Sequence, residues 1–263
     1  YPTTAQPFEP LLKRAMLNAK SPRVVGILGG MGPAAGADFV RLFVQACGEH
    51  LRARNLPLVD QSYPEHWLAQ VPVLDRSAAL RDTRSGADQP LEPLLQAMGR
   101  LAALGTQAVA IACNTAHAWH ASLQQRFPQM DVLHGVQEVA ADLVGRGVTD
   151  VGLLATQGTY DSALYTDELE AWGVRCHVPS PAERELLMTG IYQGVKADNL
   201  ALARQCFTDV AQALQQRHGL SVLIMGCTEI PLALQRVPPT DGVELLDPAR
   251  VLARTLVQRA YTS

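Results

Sequence analysis

The sequence predicts an α/β protein built from two similar halves. Short apolar runs alternate with longer stretches of helical periodicity, which is typical of parallel sheets covered by helices. A weak internal repeat relates VVGILGGMG at residues 24–32 to DVGLLATQG at residues 150–158. Each half also contains an apolar run that ends in a cysteine, Cys113 in AVAIACNTAH and Cys227 in SVLIMGCTEI. We therefore expect each half to present a thiol at the carboxyl end of a strand, where open α/β sheets bind ligands.

The individual elements follow from the length and period of each apolar stretch. The predicted strands are Val24 to Leu28, Leu56 to Val59, Ala108 to Ala112, Val151 to Leu154 and Val222 to Met225. The predicted helices are Pro33 to Arg54, Leu91 to Leu104, Ala163 to Trp172, Glu183 to Val195 and Leu200 to Arg217.

The predicted domain division follows the repeat. Residues 1–21 form an N-terminal extension, and residues 22–133 with 243–263 form a first α/β domain that carries Cys113. Residues 134–242 form a second α/β domain that carries Cys227. The segment from Leu133 to Val148 separates the first half from the opening strand of the second.

Composition excludes several classes of function. The 263 residues are 48% hydrophobic, enough for a substantial core, and the formal net charge is -3. That charge gives no basic surface for nucleic acid or anionic membranes, and no apolar run reaches the roughly 18 to 20 residues of a membrane span. Glu9, Lys13 and Arg14 interrupt the segment where a signal peptide would be apolar, so we expect a cytoplasmic protein. Five scattered cysteines favour reduced thiols over a disulfide scaffold.

The two strand-end cysteines suggest acid/base chemistry. A thiol at a strand end that leads into a helix start lies near converging N–H groups, whose field favours the thiolate. Inverting a carbon centre requires one group to remove a proton from one face and another to deliver a proton to the opposite face. Two thiols at matched positions could supply this pair. The C-x-x-C spacing of a disulfide oxidoreductase is absent.

Three motifs carry a specific resemblance. GILGGMGP, CNTAH and GCTE occur in this order, and the similarity runs from about Val24 to about Leu256. Together they resemble the aspartate/glutamate racemase family. The resemblance implies two similar three-layer domains with mostly parallel sheets, related by a pseudo-two-fold axis, with the active site in the cleft between them. It also implies pyridoxal-independent racemisation with no cofactor and no metal, an amino acid as the small-molecule substrate, and a homodimer.

The resemblance assigns roles to individual residues. Cys113 and Cys227 become the two acid/base thiols. Arg76, in an LDRS segment similar to the family's PDRT motif, becomes a two-pronged carboxylate anchor, against the alternative of a helix-start salt bridge with Asp75. Lys196, in YQGVKADN, becomes a second carboxylate anchor. The remaining expected substrate-binding residues are Gly30, Met31, Gly32, Asn114, Thr115, Thr159, Thr228 and Glu229.

The sequence departs from the family pattern before Arg76. Leu74 replaces the usual proline and Ser77 the usual threonine. The preceding segment DQSYPEHWLAQVPVL is longer and more aromatic, with Tyr63, His66 and Trp67 clustered. We expect this segment to form a lid or an altered side-chain pocket. Aspartate or glutamate remains the favoured substrate.

The sequence is also compatible with other functions. GMGPAA at residues 30–35 fits G-x-G-x-x-A, with Asp60 after the next apolar run, so a dinucleotide site is an alternative. Cys113, His117 and His120 could form a zinc site. A racemase of another amino acid, a cysteine-dependent isomerase or decarboxylase, and a two-lobed binding protein would fit the same scaffold.

Overall fold

The protein contains two parallel four-stranded sheets with the same strand order. A computed structural model describes residues 21–81, 89–234 and 242–262. In the first half the strand order is β2-β1-β3-β4, with β1 (Val25–Gly29), β2 (His66–Gln70), β3 (Ala108–Ile111) and β4 (Asp131–Val132). In the second half it is β6-β5-β7-β8, with β5 (Asp150–Ala155), β6 (Arg175–His177), β7 (Val222–Gly226) and β8 (Glu244–Leu246). The predicted α/β class with two similar sheets is confirmed.

Helices cover both faces of each sheet. In the first half these are α1 (Pro33–Ala53), α2 (Arg76–Arg81), α3 (Leu91–Ala103) and α4 (His120–Arg126). They are followed by α5 (Gly135–Gly145), α6 (Gln157–Asp161), α7 (Thr166–Ala171), α8 (Pro181–Thr189), α9 (Leu200–His218), α10 (Ile230–Leu234) and α11 (Pro248–Tyr261). Among the described residues, no helix is long and apolar enough to cross a membrane.

The core lies in four apolar clusters, one on each face of each sheet. Phe39 and Phe43 of α1 pack with Leu252 and Leu256 of α11 on one face of the first sheet. Residues of α3 and α4 fill its other face. In the second half, α8 and α9 cover one face of the sheet, and α5 with α7 covers the other. Each half is therefore a three-layer arrangement, as predicted.

Local sequence signals determine where several helices begin and end. Pro33 occupies the first turn of α1, where a missing N–H costs no helical hydrogen bond. Ser180 and Glu183 form a reciprocal capping box at the start of α8. Gly219 ends α9 in the left-handed conformation.

The predicted strand Leu56 to Val59 is wrong. Helix α1 ends near Asn55, which has a positive φ of 53°, and the chain then runs without strand pairing until β2. Pro57 lacks an N–H donor, and Leu58 is exposed. On the side of β1 away from β3, the paired strand is β2, an edge strand whose apolar residues are partly exposed, which weakens its sequence pattern.

One predicted domain boundary differs from the structure. Strand β8 pairs with β7, so residues 244–246 belong to the second sheet rather than to the first domain. The chain returns to the first half only with α11, which packs against α1. The predicted extension at residues 1–21 lies, apart from Ser21, outside the described residues.

Candidate active site

The two strand-end cysteines line one small cavity between the halves. Cys113 follows β3 and Cys227 follows β7, and each is only 5% exposed. The cavity measures about 20 Å³, which is room for about one water molecule. Its lining residues are Met31, Asp75, Arg76, Ser77, Cys113, Asn114, Thr115, Thr156, Ile191, Tyr192, Lys196, Cys227, Thr228 and Glu229. The fold thus brings together most of the residues predicted from the sequence.

The neighbours of Cys113 favour its thiolate form. Burial raises the pKa of Cys113, but the Arg76 guanidinium and the N–H of Ala116 act in the opposite direction. The Ala116 N–H belongs to the short 3-10 turn Thr115–Trp119, which begins just after the strand. The predicted stabilisation of the thiolate by nearby N–H groups is therefore present. In the protein without substrate, burial has the larger effect on the pKa of Cys113.

The neighbours of Cys227 favour its thiol form. The Sγ atom of Cys227 donates a hydrogen bond to Oε2 of Glu229 at 3.0 Å. Burial, followed by the negative charge of Glu229, raises the pKa of Cys227 well above its usual value. The N–H of Glu229 lowers the pKa of Cys227, as expected at a strand end, but burial and the Glu229 carboxylate have the larger effect.

Arg76 does not present a free two-pronged face. Its Nη1 donates to the carbonyls of Val73 and Leu74 at 3.1 Å, and its Nη2 donates to the carbonyl of Met31 at 2.7 Å. The Nε atom is buried and has no hydrogen-bond partner within the described residues. Arg76 therefore holds the β1–α1 turn against the segment before α2 and places its charge beside Cys113.

Asp75 makes different contacts from those expected. One carboxylate oxygen accepts the N–H of Ala78 at 2.8 Å and caps α2. The other accepts a hydrogen bond from the hydroxyl of Tyr192, which belongs to the second half. This bond and the nearby positive charges lower the pKa of Asp75 despite its partial burial. A helix-start salt bridge with Arg76 is not among its contacts.

Lys196 and Glu229 form an ion pair at the edge of the cavity. The Lys196 Nζ atom lies 3.5 Å from Oε1 of Glu229 and 5.1 Å from the ring centre of Tyr192. Glu229 is buried, whereas the Lys196 side chain is about one third exposed. The lysine is therefore a cation that can exchange its partner, as a carboxylate anchor requires.

Three threonines join the two halves on the buried side of the cavity. The Thr115 hydroxyl lies 3.0 Å from that of Thr156 and 3.1 Å from that of Thr159. Thr115 and Thr156 line the cavity, but Thr159 lies behind them. The predicted substrate contact of Thr159 is therefore replaced by support for Thr115 and Thr156.

The glycine turn shapes the site through its backbone. Gly30 has φ +95°, and a Cβ atom there would lie 2.3 Å from the nitrogen of Val71. A Cβ at Gly32 would lie 3.5 Å from Oε1 of Glu229. Of this predicted group, only Met31 lines the cavity.

Several site residues escaped the sequence prediction. Asp75 and Ser77 flank Arg76, and Tyr192 begins the segment YQGVKADN, so all three lie inside motifs identified in the sequence. Thr156 occupies the repeat position that corresponds to Gly30, which was an available signal. Ile191 had no such signal.

The aromatic segment before Arg76 forms no lid. His66 and Trp67 lie in edge strand β2, where His66 packs against Phe43 and Trp67 donates to Glu65. Tyr63 packs against the cluster between α1 and α11. None of the three lines the cavity. The expected lid or altered pocket is therefore wrong for these residues.

Two alternatives lack the geometry that they need. The Gln70 side chain lies against Gly36 and donates to the carbonyl of Pro33, which fills the space where a dinucleotide would approach the turn. Asp60 lies in a short 3-10 turn rather than at a strand end.

The zinc alternative requires Cys113, His117 and His120 to converge. His117 Nδ1 contacts the carbonyls of Cys113 and Asn114, and His120 Nε2 contacts the carbonyl of Val132 at 2.6 Å. Because carbonyls only accept, both ring nitrogens donate. Within residues 21–81, 89–234 and 242–262, no three potential ligands are placed to share a metal.

Comparison with known proteins yields a consistent set of relatives. A family model described as Asp/Glu/Hydantoin racemase matches residues 28–256. The broad specificity amino-acid racemase of Bacillus subtilis is 23% identical over 242 residues, covering 91% of this chain and 100% of that protein. A glutamate racemase of Thermus thermophilus is 34% identical over 165 residues, 61% of this chain and 58% of that protein. The solved aspartate racemase of Picrophilus torridus superposes with a TM-score of 0.74 at 25% identity, covering 90% of this chain and 94% of that one.

Proposed function

The chain belongs to the Asp/Glu/hydantoin racemase family, and from this premise we propose that it racemises aspartate or glutamate by passing protons between Cys113 and Cys227, without pyridoxal phosphate. One observation carries the proposal. Two thiols from matched strand ends of two similar sheets line the same buried cavity. Inversion of an α-carbon needs two acid/base groups on opposite faces, and the matched thiols supply them.

The surroundings of the two thiols differ, and they determine which thiol loses its proton more readily. Cys113 lies beside Arg76 and accepts an N–H, whereas Cys227 donates to Glu229. We therefore assign Cys113, the thiol that ionises more readily, as the base and Cys227 as the thiol acid when substrate is bound. The opposite assignment would place a thiolate directly against a buried carboxylate.

The proton transfers balance over one turnover. The Cys113 thiolate takes the α-proton, so that the Cα–H bond breaks and an S–H bond forms. The electron pair moves into the substrate carboxylate, and Cys227 delivers its proton to the opposite face of the α-carbon. The enzyme is left with a Cys113 thiol and a Cys227 thiolate, which is the form that processes the other enantiomer. Positive charge and hydrogen-bond donors near the carboxylate stabilise the intermediate.

The charges around the cavity suit a dicarboxylic amino acid. Arg76 and Lys196 are cations, and Asp75 and Glu229 are carboxylates. Because the Nη1 and Nη2 atoms of Arg76 already donate to three carbonyls, Lys196 is the better anchor for a substrate carboxylate. The substrate ammonium would then take the place of Lys196 beside Glu229. These two groups are common to all α-amino acids, and the second cation, Arg76, favours the additional carboxylate of aspartate or glutamate.

Deuterium exchange tests the chemistry and the substrate together. The protein is incubated in heavy water with L-aspartate and L-glutamate, followed by a panel of other L-amino acids, because one relative is named for broad specificity. We expect α-deuteration accompanied by the D-enantiomer on chiral chromatography. Cys113→Ala and Cys227→Ala should abolish racemisation, whereas Cys206→Ala, a buried cysteine outside the cavity, should retain it.

The same experiment separates the alternatives. A decarboxylase would release carbon dioxide, and a binding protein would retain the amino acid without deuteration. Absence of α-deuteration for every amino acid tested would contradict the proposal.

A further inference from the structure

The cavity is too small for its proposed substrate. It holds about one water molecule, whereas aspartate has several times more heavy atoms. Both thiols are nearly inaccessible from outside. Some contact around the cavity must therefore open before an amino acid can enter.

One hydrogen bond closes the outer side of the cavity. The Tyr192 hydroxyl donates to the Asp75 carboxylate and connects the second half to the first. Tyr192 is 37% exposed, yet it lines the cavity. Its ring also lies beneath the Lys196 ammonium, so it covers the approach to the Lys196–Glu229 ion pair. Water can compete directly for this bond because the tyrosine is partly exposed.

The inner connections between the halves are of a different kind. Thr115 bonds to Thr156 and Thr159, and the Tyr165 hydroxyl donates to the Asn114 side chain. All of these residues are buried. Bonds shielded from water cost more to break than exposed ones, so the halves stay joined here while the outer side opens.

The backbone around Tyr192 is held at its ends and exposed in its middle. Tyr192 lies in a five-residue π turn, Gly190–Gly194. A Cβ at Gly190 would lie 2.6 Å from Phe207, and one at Gly194 would lie 2.7 Å from Ala203, both on α9. The tight packing fixes both glycines on α9, whereas Tyr192 and its neighbour Gln193 are exposed. Single π turns within helices occur frequently at functional sites.

We propose that Tyr192 is a gate over the two thiols and that its hydrogen bond to Asp75 keeps the gate closed. Opening admits the amino acid past Lys196, and closing removes water from the α-carbon while it carries negative charge. The identity of the molecule that enters through the gate rests on the proposed racemase function. The control of access to Cys113 and Cys227 does not.

Thiol alkylation tests the gate without any substrate. The protein and its variants are treated with iodoacetamide, and mass spectrometry follows each cysteine separately. Tyr192→Phe removes only the hydroxyl, and Tyr192→Ala also removes the ring. Gln193→Ala is the matched control on the same turn, because Gln193 is exposed and does not line the cavity.

We expect Tyr192→Phe to raise the alkylation rates of both Cys113 and Cys227 at least fivefold, and Tyr192→Ala to raise them further. Gln193→Ala should remain within twofold of the unmodified protein. Buried Cys47 and Cys206 serve as internal references that should not change.

Three results would overturn the gate. Unchanged rates in both tyrosine variants would show that the thiols are reached by another route. An increase at Cys227 alone would indicate a changed pKa of that thiol rather than opening. An equal increase at Cys47 and Cys206 would indicate general loosening.

A kinetic measurement adds an independent readout. If the protein racemises amino acids, a gate that closes poorly should lower kcat several-fold in Tyr192→Phe. Absence of racemase activity in the unmodified protein would reject the proposed function but would not affect the alkylation result. Unchanged alkylation would reject the gate and leave the racemase proposal standing.

Discussion

The thiol of Cys227 donates a hydrogen bond to the carboxylate of Glu229, 3.0 Å away, two residues later in the chain. Cys113 has no carboxylate in the corresponding position and lies beside Arg76 instead. The two halves share their strand order, and burial and Glu229 raise the pKa of both thiols, but only Cys113 has a cation beside it that acts in the opposite direction. This asymmetry makes the two cysteines separable by experiment.

Glu229→Gln should make Cys227 more acidic. The substitution removes a negative charge that disfavours the thiolate, so the pKa of Cys227 should fall. The pH dependence of Cys227 alkylation measures this change. Glu185→Gln, an exposed carboxylate on α8, is the control. An unchanged pH dependence in Glu229→Gln would contradict the assigned role of Glu229.

Arg76→Gln should make the Cys113 thiolate harder to form. Loss of the guanidinium charge raises the pKa of Cys113, so the acidic limb of the pH–activity profile should move to higher pH. Loss of a hydrogen-bonded charge costs roughly 1.5–3 kcal/mol, so kcat/KM should fall by about 10- to 150-fold. Arg76→Lys keeps the charge and should shift the limb less.

Arg81→Gln on the same helix provides the control for Arg76. Its guanidinium donates to the carbonyl of Ser77 and does not line the cavity. If the acidic limb of the pH–activity profile moves equally in Arg76→Gln and Arg81→Gln, the proximity of Arg76 to Cys113 does not cause the shift.

The sequence predicted the repeated architecture and the two thiols because both leave strong local patterns. The buried strands β1, β3, β5 and β7 are short apolar runs with clear ends. Edge strands β2, β6 and β8 are partly exposed and carry no such run. Their assignment depends on pairing between distant segments, which a single sequence does not reveal.

The individual site contacts were harder to predict for a related reason. Arg76 could be recognised from its motif, but the three carbonyls that occupy its fork could not. The Tyr192–Asp75 bond joins residues 117 positions apart. Motifs therefore identified residues near the thiols, whereas the partner of each polar group required the fold.

Thr159→Val should destabilise the fold more than it weakens substrate binding. Thr159 is 1% exposed, and its hydroxyl lies 3.0 Å from that of Thr156 and 3.1 Å from that of Thr115. Loss of these two buried hydrogen bonds should lower the free energy of unfolding by about 1–3 kcal/mol. Urea denaturation measures the loss, and KM should change less than threefold. Thr115→Val, which alters the cavity wall itself, should raise KM more. A tenfold increase in KM for Thr159→Val at unchanged stability would instead support direct contact with substrate.

Asp247→Asn should stabilise the protein at neutral pH but not at acidic pH. Asp247 is buried and caps α11 by accepting the N–H of Ala249 at 2.9 Å. Burial, with a smaller contribution from the negative charge of Asp38, raises the pKa of Asp247 from 3.8 to about 6. The folded protein therefore binds this proton more tightly than the unfolded chain. The resulting stability is fully present below about pH 3.8 and is lost as the pH rises through about 6.

Asparagine keeps an oxygen that can cap the helix and carries no charge, so it avoids this loss. The difference in unfolding free energy between Asp247→Asn and the unmodified protein should move in favour of the variant by about 2 kcal/mol between pH 4.5 and pH 8. Urea denaturation across this range measures the difference. Asp167→Asn is the control, because Asp167 is an exposed carboxylate in the first turn of α7. A pH-independent difference for Asp247→Asn would show that Asp247 titrates alike in the folded and unfolded chain.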